Sequence, residues 1–327
     1  MNVMSQNSKT VLFLLACIAI AAMIIAGLCG ASGCAIPAST TDMMWLVRMP
    51  RALSAFAVGA SLALSGALMQ LVLRNPLADP YVLGISGGAA AGALGLTWLL
   101  PATLMTYGLH VGAFVGALLA TALLFGLAYP SLISSRQRIN DTQAGLRLIL
   151  TGVMIAAASG ALITLLLSLS DDTSLRGALF WLMGDLEASE LIWPVWLMLA
   201  LAMVWSIHNA VGLNVLSHGE LTAFLLGVPT HQLRNATLLV AAFTTATAVS
   251  VAGTIGFVGL VVPHALRLVV GNDQRLLLPA SALVGGAVLC LADLIARSIA
   301  APVQLPVGVI TSIVGVPVFL VLLTRSR

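Results

Sequence analysis

Arg51-Ala52-Leu53-Ser54-Ala55-Phe56-Ala57-Val58-Gly59-Ala60-Ser61-Leu62-Ala63-Leu64-Ser65-Gly66-Ala67-Leu68-Met69-Gln70-Leu71-Val72-Leu73-Arg74 holds an unbroken uncharged run between two arginines. A bilayer core takes roughly 20 apolar helical residues to cross, so this run predicts a membrane-spanning helix. The pattern recurs near 11–29, 52–73, 82–100, 109–129, 145–168, 191–208, 236–256, 257–270, 276–298 and 306–324. All fourteen Lys and Arg residues fall at or near the ends of such runs. With 60% hydrophobic and 8% charged residues and a mean hydropathy of +1.08, the chain has too little charge to cover a water-soluble surface. The runs are too long for strands and do not alternate, and an open sheet would leave backbone groups unsatisfied in lipid. The expectation is an all-α polytopic membrane protein, a single domain over 1–327, with about ten transmembrane helices.

Ten spans put both termini on one side. With the termini inside, Lys9, Arg74, Arg136, Arg138, Arg147, Arg234, Arg267, Arg275, Arg325 and Arg327 are cytoplasmic, and Arg48, Arg51, Arg176 and Arg297 are outside. That asymmetry follows the positive-inside rule and accounts for the pI of 8.9. It forms no patch suited to nucleic acid.

Between the spans the polar stretches are modest, near 30–45, 131–147, 169–190 and 209–235. The outer loop at 169–190 is acidic and carries Leu179-Phe180-Trp181-Leu182-Met183, too short to span. A short helix at the outer interface is expected, with Trp181 at headgroup depth. Gly84, Gly88 and Gly92, and Gly108, Gly112 and Gly116, recur every four residues, a spacing that lets helix backbones approach in lipid. Gly66 precedes Pro76 by the interval at which Gly253 precedes Pro263, an echo that suggests an inverted-repeat-like arrangement. Cys17, Cys29, Cys34 and Cys290 lack metal-ligand spacing. They read as small packing residues, with a Cys29–Cys34 bridge open if both face an oxidising compartment.

Catalytic chemistry finds no footing. The sole lysine is Lys9, so no Gly-Lys-Ser/Thr phosphate loop exists. Asp171-Asp172 stands without further spaced aspartates, and the five histidines form no HExxH pair. Ion-coupled transport usually keeps an ionisable group deep in the bilayer, and no acidic residue lies mid-span. Asp293 sits near the outer end of the ninth span, four residues before Arg297, a spacing that suits either a helix-end ion pair or a functional group.

Four constellations remain. Arg48-Met49-Pro50-Arg51 lies at the outer mouth of the second span, with Arg297 on the same side, and these arginines would project into outer water as a cationic rim. Arg74-Asn75-Pro76-Leu77-Ala78-Asp79-Pro80-Tyr81 holds two prolines that end a helix, a gate or a plain connection. Ser217 and Glu220 have capping-box spacing. With Gly227 and Pro229 as a stop, they predict a short cytoplasmic helix, about 216–227, bearing apolar Leu221, Phe224, Leu225 and Leu226. The fourth is Gly253-Thr254-Ile255-Gly256-Phe257-Val258-Gly259-Leu260-Val261-Val262-Pro263-His264-Ala265-Leu266-Arg267, a glycine-rich break ahead of a proline-interrupted helix.

In order and spacing these stretches, with Ala292-Asp293-Leu294-Ile295-Ala296-Arg297 and Leu305-Pro306-Val307-Gly308-Val309, resemble the FecCD-type permease subunits of bacterial type II ABC importers for iron–siderophore, haem and cobalamin. The resemblance covers nearly the whole chain. It implies a multi-pass permease of the bacterial inner membrane, with both termini cytoplasmic, that works with a second permease subunit, a copy or a sister chain. Two cytosolic ABC ATPases carry the ATP and magnesium, and this chain binds no cofactor or metal of its own. A periplasmic binding protein delivers the chelate to Arg48, Arg51 and Arg297. The resemblance places a cytoplasmic gate at Asn75, Pro76 and Leu77, and coupling to the ATPase at Ser217, Glu220, Leu221, Phe224 and Gly227. A second gate segment falls before the fifth span. There the chain reads Gln143-Ala144-Gly145-Leu146 instead of the small hydroxyl residues of a cobalamin-importing relative, so no polar gating role carries over.

Overall fold

The computed structural model describes residues 6–30, 33–34, 44–100, 104–134, 141–186 and 192–325. Arg136, Arg138 and Arg327 lie outside them, as do the side chains of Gln143–Leu146. In chain order the helices are α1 (Gln6–Leu28), α2 (Met49–Val72), α3 (Ile85–Leu99), α4 (Met105–Ser134), α5 (Asp141–Ser168), α6 (Asp172–Leu182), α7 (Trp193–Ser217), α8 (Glu220–Leu225), α9 (Thr230–Ala252), α10 (Val258–Val270), α11 (Gln274–Ser298) and α12 (Val307–Arg325). Among the described residues, eight helices are long and apolar enough to cross a membrane: α1, α2, α4, α5, α7, α9, α11 and α12. α3 and α10 are apolar but shorter, about 22 and 20 Å at 1.5 Å per residue. Together they make up the ten expected runs.

α2 is the axis of the bundle, and almost all of it is buried. Its small residues allow this. A Cβ on Gly59 would collide with the backbone of Gly285 in α11, and one on Gly66 with the backbone of Gly259 in α10. Polar side chains add local ties: Ser65 Oγ donates to Ala241 O at 2.8 Å in α9, and Gln70 Nε2 to Leu260 O at 3.0 Å in α10. The two glycine rows meet as their spacing suggested. Gly88 packs on Gly116 and Ala120, and Gly92 on Gly112, so α3 and α4 touch backbone to backbone.

The two short helices follow two breaks. After α2 the chain folds back along it, because Gly259, whose added Cβ would lie 2.9 Å from Leu62 O, would meet Pro80 Cδ at 3.1 Å. Pro80 is therefore level with a point ten residues, about 15 Å, before the end of α2. After α9 the chain leaves the helix at Gly253 (φ 66°) and re-enters one past Phe257 (φ 69°). The breaks touch where the Ile255 N–H donates to Tyr81 Oη at 2.9 Å. Short helices in the third and eighth of ten spans occupy corresponding places in two five-span halves, the pattern of an inverted repeat. The shared glycine–proline interval is met by different local geometry, since Gly66 lies inside α2 whereas Gly253 caps α9.

Three expectations change. The seventh helix runs on to Ser217, well past the expected end near 208, because the amide of Asn209 is satisfied within the helix by Trp205 O at 2.9 Å. Trp181 does not face outward from the bundle as an interfacial side chain would: it is 6% exposed. α6 forms as expected, but the turn after it enters the bundle. The Asp185 N–H bonds Ala252 O at 2.9 Å and the Val307 N–H bonds Gly184 O at 3.0 Å, which draws Trp181 in beside Gly253. Finally, Cys29 and Cys34 are joined by a disulfide across a two-stranded hairpin, Cys29–Gly30 against Gly33–Cys34.

Candidate functional site

The residues that the sequence singles out gather near the two ends of α2, about 36 Å apart for a helix of this length. At its N-terminal end, Asp293 of α11 is fully buried between two arginines. Arg51 Nε lies 3.0 Å from Oδ1 and 3.2 Å from Oδ2, and Nη2 lies 2.9 Å from Oδ1. Arg297 Nε is an ion-pair neighbour at 3.3 Å from Oδ2, without hydrogen-bond alignment. Arg51 Nη1 also donates to Gln304 Oε1 at 2.8 Å, and Arg297 Nη2 to Ala26 O. Arg51 and Arg297 therefore do not project into water as their spacing suggested. A buried carboxylate is costly without charged partners, and Asp293 turns both guanidiniums inward.

Arg48 is half-buried and differs from the other two. Its Nη1 donates to Leu28 O at 3.2 Å and lies 3.5 Å from Gly33 O, on either side of the cystine. A Cβ on Gly30 would sit 3.2 Å from Arg48 Nε and 3.5 Å from Arg297 Nη1. The three arginines and the disulfide hairpin thus form one cluster. Of its four charged groups one is negative, leaving a net positive charge, of which Arg48 is the least buried part.

At the other end of α2, Asn75 shapes its own loop: its Oδ1 accepts from the Leu77 N–H at 3.0 Å and its O from the Ala78 N–H at 3.0 Å. That side-chain turn presents Leu77 outward, 41% exposed, beside exposed Pro76. Asp79 then caps the single turn Pro80–Leu83, accepting from the Tyr81 N–H at 2.8 Å.

The expected capping box does not form. Ser217 is the last residue of α7 and donates to Asn214 O at 2.7 Å, so it cannot cap the next helix. Gly219 takes that place, and α8 holds six residues instead of about nine. Glu220 pairs with Arg234 Nη1 of α9 at 2.7 Å. Leu221, Phe224, Leu225 and Leu226 are 61–74% exposed, and within α8 only Ala223 is buried. Gly227 closes the turn at φ 79°. α8 thus leaves most of its apolar side chains without partners from this chain among the described residues.

Between the ends lies a cavity of about 560 Å³. Tyr81, Ser86, Gly87 and Ala90 line one side, and Leu182, Met183, Thr254, Gly256, Gly308 and Ser312 line another. None of its lining residues is charged. Sequence reasoning gave no role to Tyr81, Ser86, Thr254 or Ser312, though the two helix breaks point to the first three. Among the described residues no cluster of His, Cys, Asp and Glu could hold a metal ion.

Comparison with known proteins agrees with this architecture. The model of the FecCD transport family matches residues 9–325. The vitamin B12 import system permease protein BtuC of Escherichia coli strain HS is 39% identical over 287 residues, covering 87% of this chain and 84% of that protein. The hemin transport system permease protein HmuU of Yersinia pestis is 41% identical over 306 residues, covering 88% and 86%. A solved inward-facing conformation of a metal-chelate type ABC transporter superposes with a TM-score of 0.84 at 31% identity, covering 97% of this chain and 99% of that one.

Proposed function

Because the chain belongs to the FecCD transport family, we propose that it is the transmembrane permease subunit of an ATP-driven importer that moves a metal chelate of the siderophore, haem or cobalamin class from periplasm to cytoplasm. The observation that carries this reading is the position of the two surfaces on α2, a cationic cluster at one end and the outward apolar face of α8 near the other. Arg48, at the accessible edge of the cluster, receives acidic side chains of a periplasmic binding protein, with Arg51 and Arg297 adding positive charge behind it. Leu221, Phe224, Leu225 and Leu226 seat in a cytosolic ATPase, which binds the ATP and magnesium; no phosphate loop can be built around Lys9. Asn75, Pro76 and Leu77 form the cytoplasmic gate, and the uncharged cavity is the conduit. A wall without charges holds its cargo weakly and lets it leave quickly, so selectivity rests with the binding protein. The complex has two permease subunits and two ATPases in the inner membrane, with the termini of this chain cytoplasmic.

The complex reconstituted in sealed vesicles tests this. Uptake of labelled cobalamin, haemin or a ferric siderophore is expected to require ATP, the ATPase and the loaded binding protein, and to ignore a protonophore. Uptake by the isolated chain, or uptake abolished by the protonophore, refutes the proposal.

A further inference from the structure

α2 ends in a Schellman turn. The Asn75 N–H bonds Gln70 O at 3.2 Å and the Arg74 N–H bonds Leu71 O at 3.3 Å. The residue in the left-handed position of that turn is Arg74, with φ 45°. Glycine is the usual occupant, because a Cβ is crowded there. This chain places glycine at the comparable position after α8, at Gly227, and among the described residues only Phe257 shares positive φ with a side chain. A side chain kept where the backbone disfavours one indicates that the side chain itself is used.

Its contact shows how. A Cβ on Gly219 would lie 3.7 Å from Arg74 Nη2 and 3.9 Å from Nη1, so the guanidinium rests against the residue that starts α8. Gly219 stands just beyond the C-terminus of α7, where the carbonyl end of a helix of 25 residues favours a cation. On the main chain, Arg74 leads directly into the Asn75–Leu77 loop.

We infer that Arg74 is a positioning residue that ties α8 to the gate: its side chain follows Gly219, and its main chain sets the entry of Asn75–Leu77. The inference rests on the proposed reading of that loop as the gate and of α8 as the ATPase dock. α8 is fastened to α9 by the Glu220–Arg234 pair. Asn214 near the end of α7 is fastened to the start of α11 by Asp273 at 2.7 Å and the Gln274 N–H at 2.7 Å. Arg74 carries the position of this assembly to α2. A rigid shift of α8 would displace Gly219 from beside the guanidinium and so change the surroundings of the side chain that leaves the turn.

Arg74→Gly separates this role from a structural one, because glycine suits the turn better while the guanidinium is lost. The test uses the full transporter with its ATPases in lipid nanodiscs, carrying Leu77→Cys in a Cys17→Ser background, since Cys17 is exposed and Cys290 buried. The rate at which a soluble maleimide modifies Leu77→Cys is measured with and without ATP, magnesium and vanadate. Nucleotide is expected to change this rate about tenfold when Arg74 is present and less than about twofold in Arg74→Gly, with ATP hydrolysis and melting temperature retained and partial recovery in Arg74→Lys. If Arg74→Gly responds as fully as the arginine form, the link is overturned and the gate reading stands. If the arginine form shows no response, the gate reading falls, and the link with it.

Discussion

Asp293 and Arg51, 242 residues apart in sequence, meet through contacts of 3.0 and 3.2 Å from Nε and 2.9 Å from Nη2. They fasten α11 to the first turn of α2. The pair is buried, and Arg297 and Gln304 complete its surroundings. Removing one partner of such a pair strands the other charge, at a cost of about 3–5 kcal/mol. Asp293→Ala is expected to lower the melting temperature in detergent sharply, and Asp293→Asn less so because the amide still accepts a hydrogen bond. Equal melting of all three proteins would show that the pair does not hold the bundle.

Arg48 donates to Leu28 O and Gly33 O, while Arg51 holds Asp293, so a reversal at Arg48 leaves the Arg51–Asp293 pair in place. Arg48→Glu is expected to slow capture of the binding protein about tenfold at low salt, with the difference shrinking as salt screens the charges. Arg48→Glu combined with Arg51→Glu would weaken capture further and also destabilise, because Arg51→Glu faces Asp293. Unchanged association of Arg48→Glu at low ionic strength, measured by surface plasmon resonance, would remove the cationic docking surface.

Phe224, 68% exposed on α8, is expected to be an anchor for the ATPase. Phe224→Asp should cost about 2 kcal/mol or more of association, visible as loss of the ATPase on co-purification, with the permease still folded. Glu220→Pro is a milder change. Glu220 is the first residue of α8, where proline is tolerated, so its main effect is loss of the Arg234 pair. Full co-purification of Phe224→Asp with the ATPase would place the dock elsewhere.

Leu77 points outward from the Asn75 turn, and on the proposed reading of this loop as the gate Leu77→Trp would obstruct it. Uptake into vesicles should fall while ATP hydrolysis continues. Normal uptake by this variant would show that the constriction is not at this loop.

The transmembrane order was legible because arginines mark the ends of the apolar runs and because glycines four apart can do little else in lipid than bring helices together. Gly88 against Gly116 is that spacing realised. What sequence could not give was contact across the chain. Asp293 has Arg297 four residues on, so a local pair was visible, but the inward turn of Arg51 depends on α2 and α11 lying side by side. Ser217 and Glu220 match a capping box as well as they match a serine ending one helix and a glutamate starting the next; Gly219 between them, with φ 129°, decides. Trp181 looked interfacial because its apolar run is short, and it is buried because the turn after α6 is drawn inward by backbone bonds to Ala252 and Val307. The cystine was one of two open readings, separated only by the hairpin that brings Cys29 opposite Cys34.

Gly59 and Gly66 press α2 against the backbones of Gly285 and Gly259 midway along its length. A helix does not shorten or stretch appreciably, since its rise per residue is fixed by its own hydrogen bonds. Such a rod, held this closely on two sides, fixes the spacing between its arginine end and its Asn75 end. Bulk added at either glycine would push the whole rod off its neighbours and shift both ends at once, without touching either of them directly.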